Sequence, residues 1–384
     1  MRQLDLDSGL LKTPDDRNPT KYCYYLPMIG QHVSELDTPT LCVDLDAMES
    51  NIAAMSDFIG SRGKQWRPHQ KCHRSSAIAQ LQLAAGAIGV TCATFDEAEV
   101  MARGGVTDLL IANMVVGHQQ LTRLANLCES ADPIFTVDHY AQAELLANAA
   151  REVGACPRVI IEVDVGMGRV GIRPGLEALR LYQGICGLEG IRPVGLMGYE
   201  GHVLRVTNSD AKRAQIADAM SVLRHTREMI LKEQLCCDIV SAGGTGSYQM
   251  TSDCEGVTEL QAGGGIFGDP FYSNQCGVVG LKPALSVLTT IVSRPTLGRA
   301  VVDAGRKAIA ADPEMPTIQG YSESMVTQLS AAHGKLDVVG DARDLRIGDR
   351  VHLTVGYADF TTMLHRRFVG LRNDHVENVI PIGA

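Results

Sequence analysis

Residues 67–75 read Arg67-Pro68-His69-Gln70-Lys71-Cys72-His73-Arg74-Ser75, which places one lysine between two histidines. The run 64–68 can form a strand, and an apolar-periodic segment follows Ser75. A lysine at such a strand-to-helix turn is a candidate for covalent carbonyl chemistry, because a partly desolvated amine can lose its proton and form a Schiff base. The alternative interpretation is a solvated loop lysine.

Short apolar runs alternate with amphipathic helical segments on both sides of this stretch. The strand-like runs are 40–44, 65–68, 88–93, 108–113, 134–137, 159–165, 193–199, 238–243 and 259–263. Repeated βα units predict a parallel sheet, and about eight of them favour a closed (β/α)8 barrel over an open doubly wound sheet. Asp44-Leu45-Asp46 stands where a dinucleotide-binding fingerprint would follow the first strand, which counts against a Rossmann fold.

The residue pattern changes after about residue 275, where runs rich in β-branched residues replace segments with helical periodicity. The predicted fold class is therefore α/β, a (β/α)8 barrel followed by a C-terminal, mostly-β domain. We expect three parts: an N-terminal extension at 1–36 that joins the β domain, a cofactor-binding barrel at 37–274, and the β domain at 275–384.

Composition narrows the class of protein. The chain has 384 residues, 45% apolar content and a net charge of −9, which argue for a globular protein without a nucleic-acid or anionic-membrane partner. No apolar run is long enough for a transmembrane helix, and the first 16 residues lack the apolar core of a signal peptide. Eleven scattered cysteines without a C-x-x-C pair predict reduced thiols, so we expect a cytoplasmic protein.

Two glycine-rich turns follow late strands of the predicted barrel, at the edge where barrel enzymes place their chemistry. They read Ser241-Ala242-Gly243-Gly244-Thr245-Gly246-Ser247-Tyr248 and Gln261-Ala262-Gly263-Gly264-Gly265. Glycines let backbone N–H groups approach a phosphate, although each turn alone is also compatible with a tight turn that binds nothing. Gly-Lys-Ser/Thr is absent, so a single phosphate is favoured over a triphosphate.

A phosphate cup at late strands and a lysine at an early strand together suggest pyridoxal 5′-phosphate. Arg169, within Gly166–Gly171, could hold the phenolate oxygen of that cofactor, or could be a surface arginine in a turn. Tyr199 could lie against the cofactor ring or belong to the core.

Four segments together resemble the D-threonine aldolase / D-serine dehydratase family of alanine-racemase-like, fold-type III pyridoxal phosphate enzymes. They are Arg67–His73, Asp164–Gly171, Ser241–Tyr248 and Val302-Asp303-Ala304-Gly305-Arg306-Lys307-Ala308, and the resemblance runs from about Thr38 to Ile382. It implies a homodimeric lyase that acts on small β-hydroxy-D-amino acids, with Lys71 joined covalently to the cofactor. It also implies cofactor contacts from Arg169, Tyr199, Gly244, Thr245 and Gly246. Beyond the resemblance, we expect cofactor support from His73, next to the lysine, and contacts from Gln261 and Gly263 of the second glycine-rich turn.

The sequence departs from this family where the family usually binds a divalent metal through a His-x-Cys or His-x-Asp pair. Asp359 is retained here, but Tyr357 occupies the histidine position. A neutral phenol is a poor ligand for Mn²⁺, Mg²⁺ or Zn²⁺, and a lone carboxylate holds Mg²⁺ only weakly. We therefore expect a metal site (Mg²⁺ or Mn²⁺) at Asp359 that is weakened or lost, the alternative being substitution by His352 or His365.

The sequence leaves three reactions open: aldol cleavage, β-elimination and racemisation. A cofactor carrier without catalytic activity is the alternative hypothesis if the protein is not an enzyme. Retro-aldol cleavage is the leading hypothesis, because hydroxide leaves poorly without a Lewis acid. His202 and Tyr357 are the candidate bases for the substrate hydroxyl, while His69 is expected to be a packed core residue. Arg306, Lys307 or Arg366 could neutralise a second substrate carboxylate, or could be ordinary surface charges.

Overall fold

The computed structural model describes residues 28–383, so most of the predicted N-terminal extension lies outside the described residues. Its described part runs beside the end of the chain: Gly30 N donates to Val376 O at 2.8 Å, and Val33 N donates to Asp374 O at 2.7 Å. Within residues 28–383, no helix is long and apolar enough to cross a membrane. The cysteines of the same range are free thiols.

Strands and helices alternate through the first two thirds of the chain, and strands predominate afterwards. The described strands are β1 (Thr40–Asp44), β2 (Gln65–Trp66), β3 (Val90–Cys92), β4 (Asp108–Met114), β5 (Asp132–Val137), β6 (Arg158–Glu162), β7 (Arg192–Met197), β8 (Ile239–Ala242), β9 (Glu259–Leu260), β10 (Leu285–Thr296), β11 (Arg299–Val302), β12 (Thr317–Ile318), β13 (Met325–Leu329), β14 (Gly334–Asp337), β15 (Arg350–Thr354), β16 (Arg367–Arg372) and β17 (His375–Pro381). The described helices are α1 (Leu45–Ser61), α2 (Ser76–Ala84), α3 (Phe95–Arg103), α4 (His118–Thr122), α5 (Leu124–Ser130), α6 (Tyr140–Glu152), α7 (Leu176–Cys186), α8 (Ser209–Lys232), α9 (Tyr248–Thr251), α10 (Pro270–Cys276) and α11 (Ala358–Thr362).

Strands β2 to β9 form a parallel sheet in the order β2-β9-β8-β7-β6-β5-β4-β3. Its two ends meet, because Ile88 N donates to Trp66 O and Thr91 N donates to Pro68 O, both at 2.9 Å. The strand interiors are continuous apolar runs, as expected where helices cover the outside of a barrel. The predicted (β/α)8 barrel is confirmed.

The second sheet has the order β13-β14-β11-β10-β1-β16-β17, with β12 and β15 branching from it, and it confirms the predicted β domain. It also contains β1, which we had assigned to the barrel. Cys42 of β1 pairs with Ser286 of β10 and with Val369 of β16. β1 therefore joins a different sheet from the one expected, because the barrel strands begin at Gln65, while the domain boundaries near residues 37 and 275 stay predictions.

A buried arginine that follows β2 reaches the amino-terminal residues of two other barrel strands, β9 and β4. Arg67 follows β2, and its Nε donates to Glu259 Oε1 at 3.0 Å while its Nη1 donates to Asp108 Oδ1 at 2.8 Å. The side chains of Arg67 and Glu259 are only 2% and 3% exposed. Breaking such a pair leaves an uncompensated buried charge. Arg67 therefore links three strands at the end of the barrel opposite the strand ends that carry the glycine-rich turns.

We predict that R67M lowers the free energy of unfolding by about 3–5 kcal/mol, because Glu259 then stays buried without its partner. Urea denaturation followed by circular dichroism measures the change. The matched control is R62M, since the Arg62–Asp253 pair is 44% and 34% exposed and exposed pairs contribute about 1 kcal/mol or less. Equal losses in the two variants would contradict the assigned role of Arg67.

Candidate active site

A cavity of about 360 Å³ opens at the carboxyl ends of the barrel strands and is closed on one side by the β domain. Eight of the predicted site residues line it: Lys71, Arg169, Tyr199, Gly244, Thr245, Gln261, Gly263 and Tyr357. The structure thus brings together side chains from segments that are distant in the sequence, as the location of the site at the strand ends predicts.

Lys71 lies in a short 3-10 turn, Gln70–Cys72, just after the carboxyl end of β2. Two contacts from elsewhere in the fold fix this turn. Thr362 Oγ1 of α11 donates to Cys72 O at 2.8 Å. A Cβ on Gly263 would lie 2.0 Å from His69 O, so the loop after β9 can approach the turn this closely only with a glycine there. The lysine therefore sits on a turn held by both domains.

Asp359 connects Lys71 with Tyr357. Its Oδ2 lies 3.3 Å from Lys71 Nζ and accepts a hydrogen bond from Tyr357 Oη at 2.9 Å. Asp359 is 7% exposed, and its Oδ1 has no hydrogen-bond partner in the described part of the chain. Burial and the negative charge of Asp359 raise the pKa of Tyr357, so the phenol is neutral at physiological pH.

Asp269 holds the segment that carries this pair. Its Oδ2 accepts from Ala358 N at 2.9 Å, at the start of α11. Burial, with a smaller contribution from Asp359, raises the pKa of Asp269 well above its usual range. Tyr357 also packs edge-on against Phe271, with ring centroids 5.2 Å apart, and against Tyr272 at 5.9 Å. The wall of the cavity beside Tyr357 is therefore aromatic.

The loop after β6 presents Arg169. Asp164 Oδ1 accepts from Gly166 N and Gly168 N, each at 3.0 Å, which shapes the turn. The guanidinium lies over the ring of Tyr199, 5.8 Å from its centroid, and 3.5 Å from Glu162 Oε1. Burial raises the pKa of Glu162, and the charge of Arg169 opposes that rise. Arg169 and Tyr199 thus form one side of the cavity.

The glycine-rich loop 243–247 (the glycine cup) forms the wall next to Tyr199, since a Cβ on Gly244 would lie 2.8 Å from Tyr199 Cε2. Glu200, fully buried, accepts from Ser247 Oγ at 2.6 Å, from Thr251 Oγ1 at 2.5 Å and from Gly243 N at 3.4 Å. The N–H groups of Gly244, Thr245 and Gly263 find no acceptor among residues 28–383. Unpaired backbone donors around a cavity are the usual receptor for a phosphate group.

Three residues lie in places that differ from those expected. His73 does not reach the cavity: it is fully buried, its Nδ1 accepts from Ser75 N at 3.0 Å, and its Nε2 bonds to Gln82 Oε1 at 3.2 Å. His69, expected to be core, lines the cavity instead. His202 lines a separate depression with Gln215 and Asp218 and is not among the residues that line the cavity; its role as a base stays a prediction.

Gly246 and the remaining candidates lie outside the cavity lining. Gly246 is packed against Leu204 and Cys276. His352 bonds through Nδ1 to Ser286 Oγ at 2.9 Å, and His365 bonds through Nε2 to Ala308 O at 2.7 Å. None of the three cationic residues Arg306, Lys307 and Arg366 lines the cavity.

Sequence reasoning missed Asp269, Phe271, Tyr272 and Glu200. Gly268-Asp269-Pro270 is a helix-start signal, and it does mark the beginning of α10. Nothing local, however, indicates that Asp269 meets Ala358, because that contact arises only when the β domain docks on the barrel. Glu200 directly follows Tyr199 and could have been found as an acid at a predicted strand end.

Two family models match the chain. The family described as "Alanine racemase, N-terminal domain" matches residues 43–270, and the one described as "Putative serine dehydratase domain" matches residues 284–371. The first covers the barrel and the second covers much of the β domain. The chain is thus built as an alanine-racemase-like barrel followed by a β domain of the serine dehydratase type.

Individual relatives extend over nearly the whole chain. A 3-hydroxy-D-aspartate aldolase from Paracoccus denitrificans (strain Pd 1222) is 32% identical over 372 residues, covering 94% of this chain and 95% of the relative. A D-threonine aldolase from Arthrobacter sp. is 32% identical over 357 residues, covering 92% and 94%. The crystal structure of D-threonine aldolase from Filomicrobium marinum superposes with a TM-score of 0.89 at 34% identity, covering 93% and 98%. The chain belongs to the D-threonine aldolase / D-serine dehydratase-like family.

The buried histidine beside the active-site turn predicts a pH dependence of stability. Burial lowers the pKa of His73 to about 4, whereas an unfolded histidine titrates near 6.5. Below pH 6.5 the unfolded chain therefore binds a proton that the folded chain does not, and His73 makes the free energy of unfolding fall by about 3 kcal/mol between pH 6.5 and pH 4. Burial also lowers the pKa of His69, which adds to the loss of stability as pH falls. The raised pKa of Asp269 has the opposite effect on the free energy of unfolding.

Urea denaturation at a series of pH values, on the unmodified protein and on H73Q, isolates this contribution. H73Q is expected to show a shallower loss between pH 6.5 and pH 4, whatever its stability at neutral pH. H118Q, at an exposed position, is the matched control and should keep the slope of the unmodified protein. Identical slopes in H73Q and the unmodified protein would contradict the assignment.

Proposed function

We propose that this protein is a pyridoxal 5′-phosphate-dependent lyase that cleaves β-hydroxy-D-amino acids by a retro-aldol reaction, giving an aldehyde and glycine or another simple amino acid. One observation carries the proposal: an accessible lysine, a glycine cup with free N–H donors and a tyrosine bonded to a buried carboxylate face one cavity. Relatives that are aldolases, 32% identical over most of the chain, support it.

The residues of the cavity fit the cofactor. The amine of Lys71 is available for a covalent bond to its aldehyde carbon, and the free N–H groups of Gly244 and Thr245 suit its phosphate. Arg169 and Tyr199 are placed on the wall where a planar ring could lie. When bound there, pyridoxal phosphate supplies an electron sink for the carbanion formed at Cα.

Retro-aldol cleavage needs a base for the β-hydroxyl proton, and we assign it to the Tyr357–Asp359 pair. Tyr357 is neutral and already donates to Asp359, so it cannot act as a free phenolate. It can instead receive the substrate proton at Oη as its own proton passes to Asp359 Oδ2. The Cα–Cβ bond then breaks, the oxygen lone pair forms the aldehyde carbonyl, and the bonding electrons stay on Cα.

A divalent metal fits the described residues poorly. Asp359 Oδ2 already faces the Lys71 amine and the Tyr357 hydroxyl, and no group of three or more His, Cys, Asp or Glu within residues 28–383 is arranged to hold an ion. His352 and His365 are bonded elsewhere and do not complete a site. We therefore propose that Mg²⁺ or Mn²⁺ is bound weakly, if it binds at Asp359 at all, and that the hydroxyl is activated by Tyr357.

The substrate is proposed to be a small amino acid with an uncharged β-substituent. The cationic side chains that line the cavity in the described residues are Lys71 and Arg169, and both are committed to the cofactor; burial lowers the pKa of His69, so its ring is neutral near pH 7. Arg306, Lys307 and Arg366 lie elsewhere, so a second carboxylate has no evident partner, whereas the Phe271 and Tyr272 wall suits an apolar group.

As further proposals, the protein acts in the cytoplasm as a homodimer, without a nucleic-acid or membrane partner.

β-Elimination is the second candidate reaction, because the second domain matches a dehydratase family model. It would release ammonia and a 2-oxo acid, and hydroxide departs poorly without a Lewis acid. Racemisation by Lys71 and Tyr357 and simple cofactor carriage are the remaining alternatives. Aldol cleavage, β-elimination and racemisation have different products and cofactor carriage has none, so one set of assays separates them.

The direct test supplies D-threonine and 3-hydroxy-D-aspartate to the cofactor-loaded protein and measures aldehyde, 2-oxo acid and inverted amino acid separately. We expect acetaldehyde and glycine from D-threonine, slower turnover of 3-hydroxy-D-aspartate, and activity that survives EDTA. Borohydride reduction followed by peptide mapping should label Lys71, and K71A should lose both label and activity, whereas the exposed-site control K232A keeps both. A 2-oxo acid or an inverted amino acid as the main product would replace the proposal with the corresponding alternative.

Tyr357 provides a second prediction. Y357F should lower kcat for D-threonine by about 10²–10⁴-fold, the usual contribution of a general acid–base group, because the hydroxyl proton then has no acceptor within reach. Cofactor absorbance and KM should change little, since Lys71 and the glycine cup are untouched. The control is Y140F, at an exposed position on α6. Unchanged kcat in Y357F would assign the base elsewhere.

A further inference from the structure

Lys212 is a buried lysine whose partners are all backbone carbonyls. It is 3% exposed, and its Nζ donates to Leu204 O at 2.9 Å, Gly246 O at 2.8 Å and Cys276 O at 2.6 Å. All three N–H bonds of an ammonium group are thereby used. In the part of the chain that the structure describes, no carboxylate forms an ion pair with it. A buried charge without a counter-ion is costly and calls for a reason beyond packing.

Its place in the chain makes the lysine more unusual. Lys212 is in the first turn of α8, where the helix dipole disfavours a positive charge. Its three acceptors belong to three consecutive barrel loops: Leu204 follows β7, Gly246 follows β8, and Cys276 ends α10 after β9. The ammonium is thus placed where a bound cation would be, at the meeting point of the loops that follow the last three strands of the barrel.

This meeting point lies directly behind the glycine cup. A Cβ on Gly246 would lie 3.0 Å from both Cys276 Sγ and Leu204 Cδ2, so the cup is pressed against the same two residues that share Lys212. The carboxylate of Glu200 holds both ends of the cup, through Gly243 N and Ser247 Oγ. The buried ammonium of Lys212 adds a third point of attachment at Gly246, between those two ends.

We propose that Lys212 is a positioning residue for phosphate binding: an internal cation that orients the glycine cup through Gly246 and supplies positive charge behind the bound phosphate. The inference rests on the proposed function, which provides the phosphate-bearing ligand. The bond to the Gly246 carbonyl fixes the turn directly after Gly244 and Thr245, the two cup residues that line the cavity and whose N–H groups have no acceptor among residues 28–383. If Lys212 only stabilised the fold, its loss would lower the affinity for every ligand of the cavity alike. In the proposed role, its loss lowers the affinity for ligands that carry a phosphate.

The test compares the affinities of apo-protein for pyridoxal 5′-phosphate and for pyridoxal, which has the same ring without the phosphate. K212M keeps the length of the side chain and removes the charge; K232M, at an exposed position on the same helix, is the matched control. K212M is expected to weaken the binding of pyridoxal 5′-phosphate about tenfold or more, the effect of losing a charge-assisted interaction. The affinity of K212M for pyridoxal should stay within about twofold of the affinity of K232M for pyridoxal.

Thermal shift with inorganic phosphate gives a readout that does not depend on the ring. Phosphate should raise the melting temperature of the unmodified apo-protein and of K232M, and should fail to do so for K212M. Equal losses of affinity for pyridoxal and its phosphate, or no loss for either, would overturn the proposal. If the unmodified protein bound no pyridoxal 5′-phosphate at all, the proposed function itself would fail, which is a distinguishable result.

K212A provides the test if K212M does not fold. Its truncated side chain leaves three carbonyls around a space that NH₄⁺ can enter, so it is purified in ammonium chloride. Affinity for pyridoxal 5′-phosphate should then be higher in ammonium chloride than in tetramethylammonium chloride, whose cation is too large, with pyridoxal affinity the same in both. Equal affinity for pyridoxal 5′-phosphate in the two salts would overturn the assignment of Lys212.

Discussion

One carboxylate oxygen, Asp359 Oδ2, connects the two domains at the place where chemistry occurs. It faces the amine of Lys71, which belongs to the barrel, and accepts a hydrogen bond from the hydroxyl of Tyr357, which belongs to the β domain. The hydrogen bond from Thr362 to Cys72 O is a second tie across the same boundary. The position of the reactive amine therefore depends on how the domains pack, and the contact of Asp269 with Ala358 N fixes that packing from the barrel side.

Much of the fold was predictable because its periodicities are local. The barrel strands are apolar runs between helical segments, and each of β2 to β9 overlaps one of the strand-like runs recognised in the sequence. β1 was misassigned for a physical reason: Leu41, Cys42 and Val43 are buried in succession, as they would be in a barrel strand. A run that is buried on both faces does not reveal which sheet it joins.

The site was predictable where function is carried by a residue type at a strand end, as for Lys71, Arg169 and Thr245. It was not predictable where function depends on the direction in which a side chain points. His69 and His73 flank the same lysine, yet the 3-10 turn between them sends one toward the cavity and the other into the core. Lys212 and Asp269 were missed because their partners come from loops distant in sequence, and only the folded chain brings those carbonyls and N–H groups together.

The membership of β1 in the second sheet has a consequence for biosynthesis. This strand leaves the ribosome early, but its hydrogen-bonding neighbours β10 and β16 belong to the last third of the chain. Until they appear, its apolar edge lacks a partner, and early domains of a growing chain normally fold as units. Neither half of the molecule is therefore a self-contained segment of the gene: cutting between barrel and β domain would separate a central strand from the sheet that it completes.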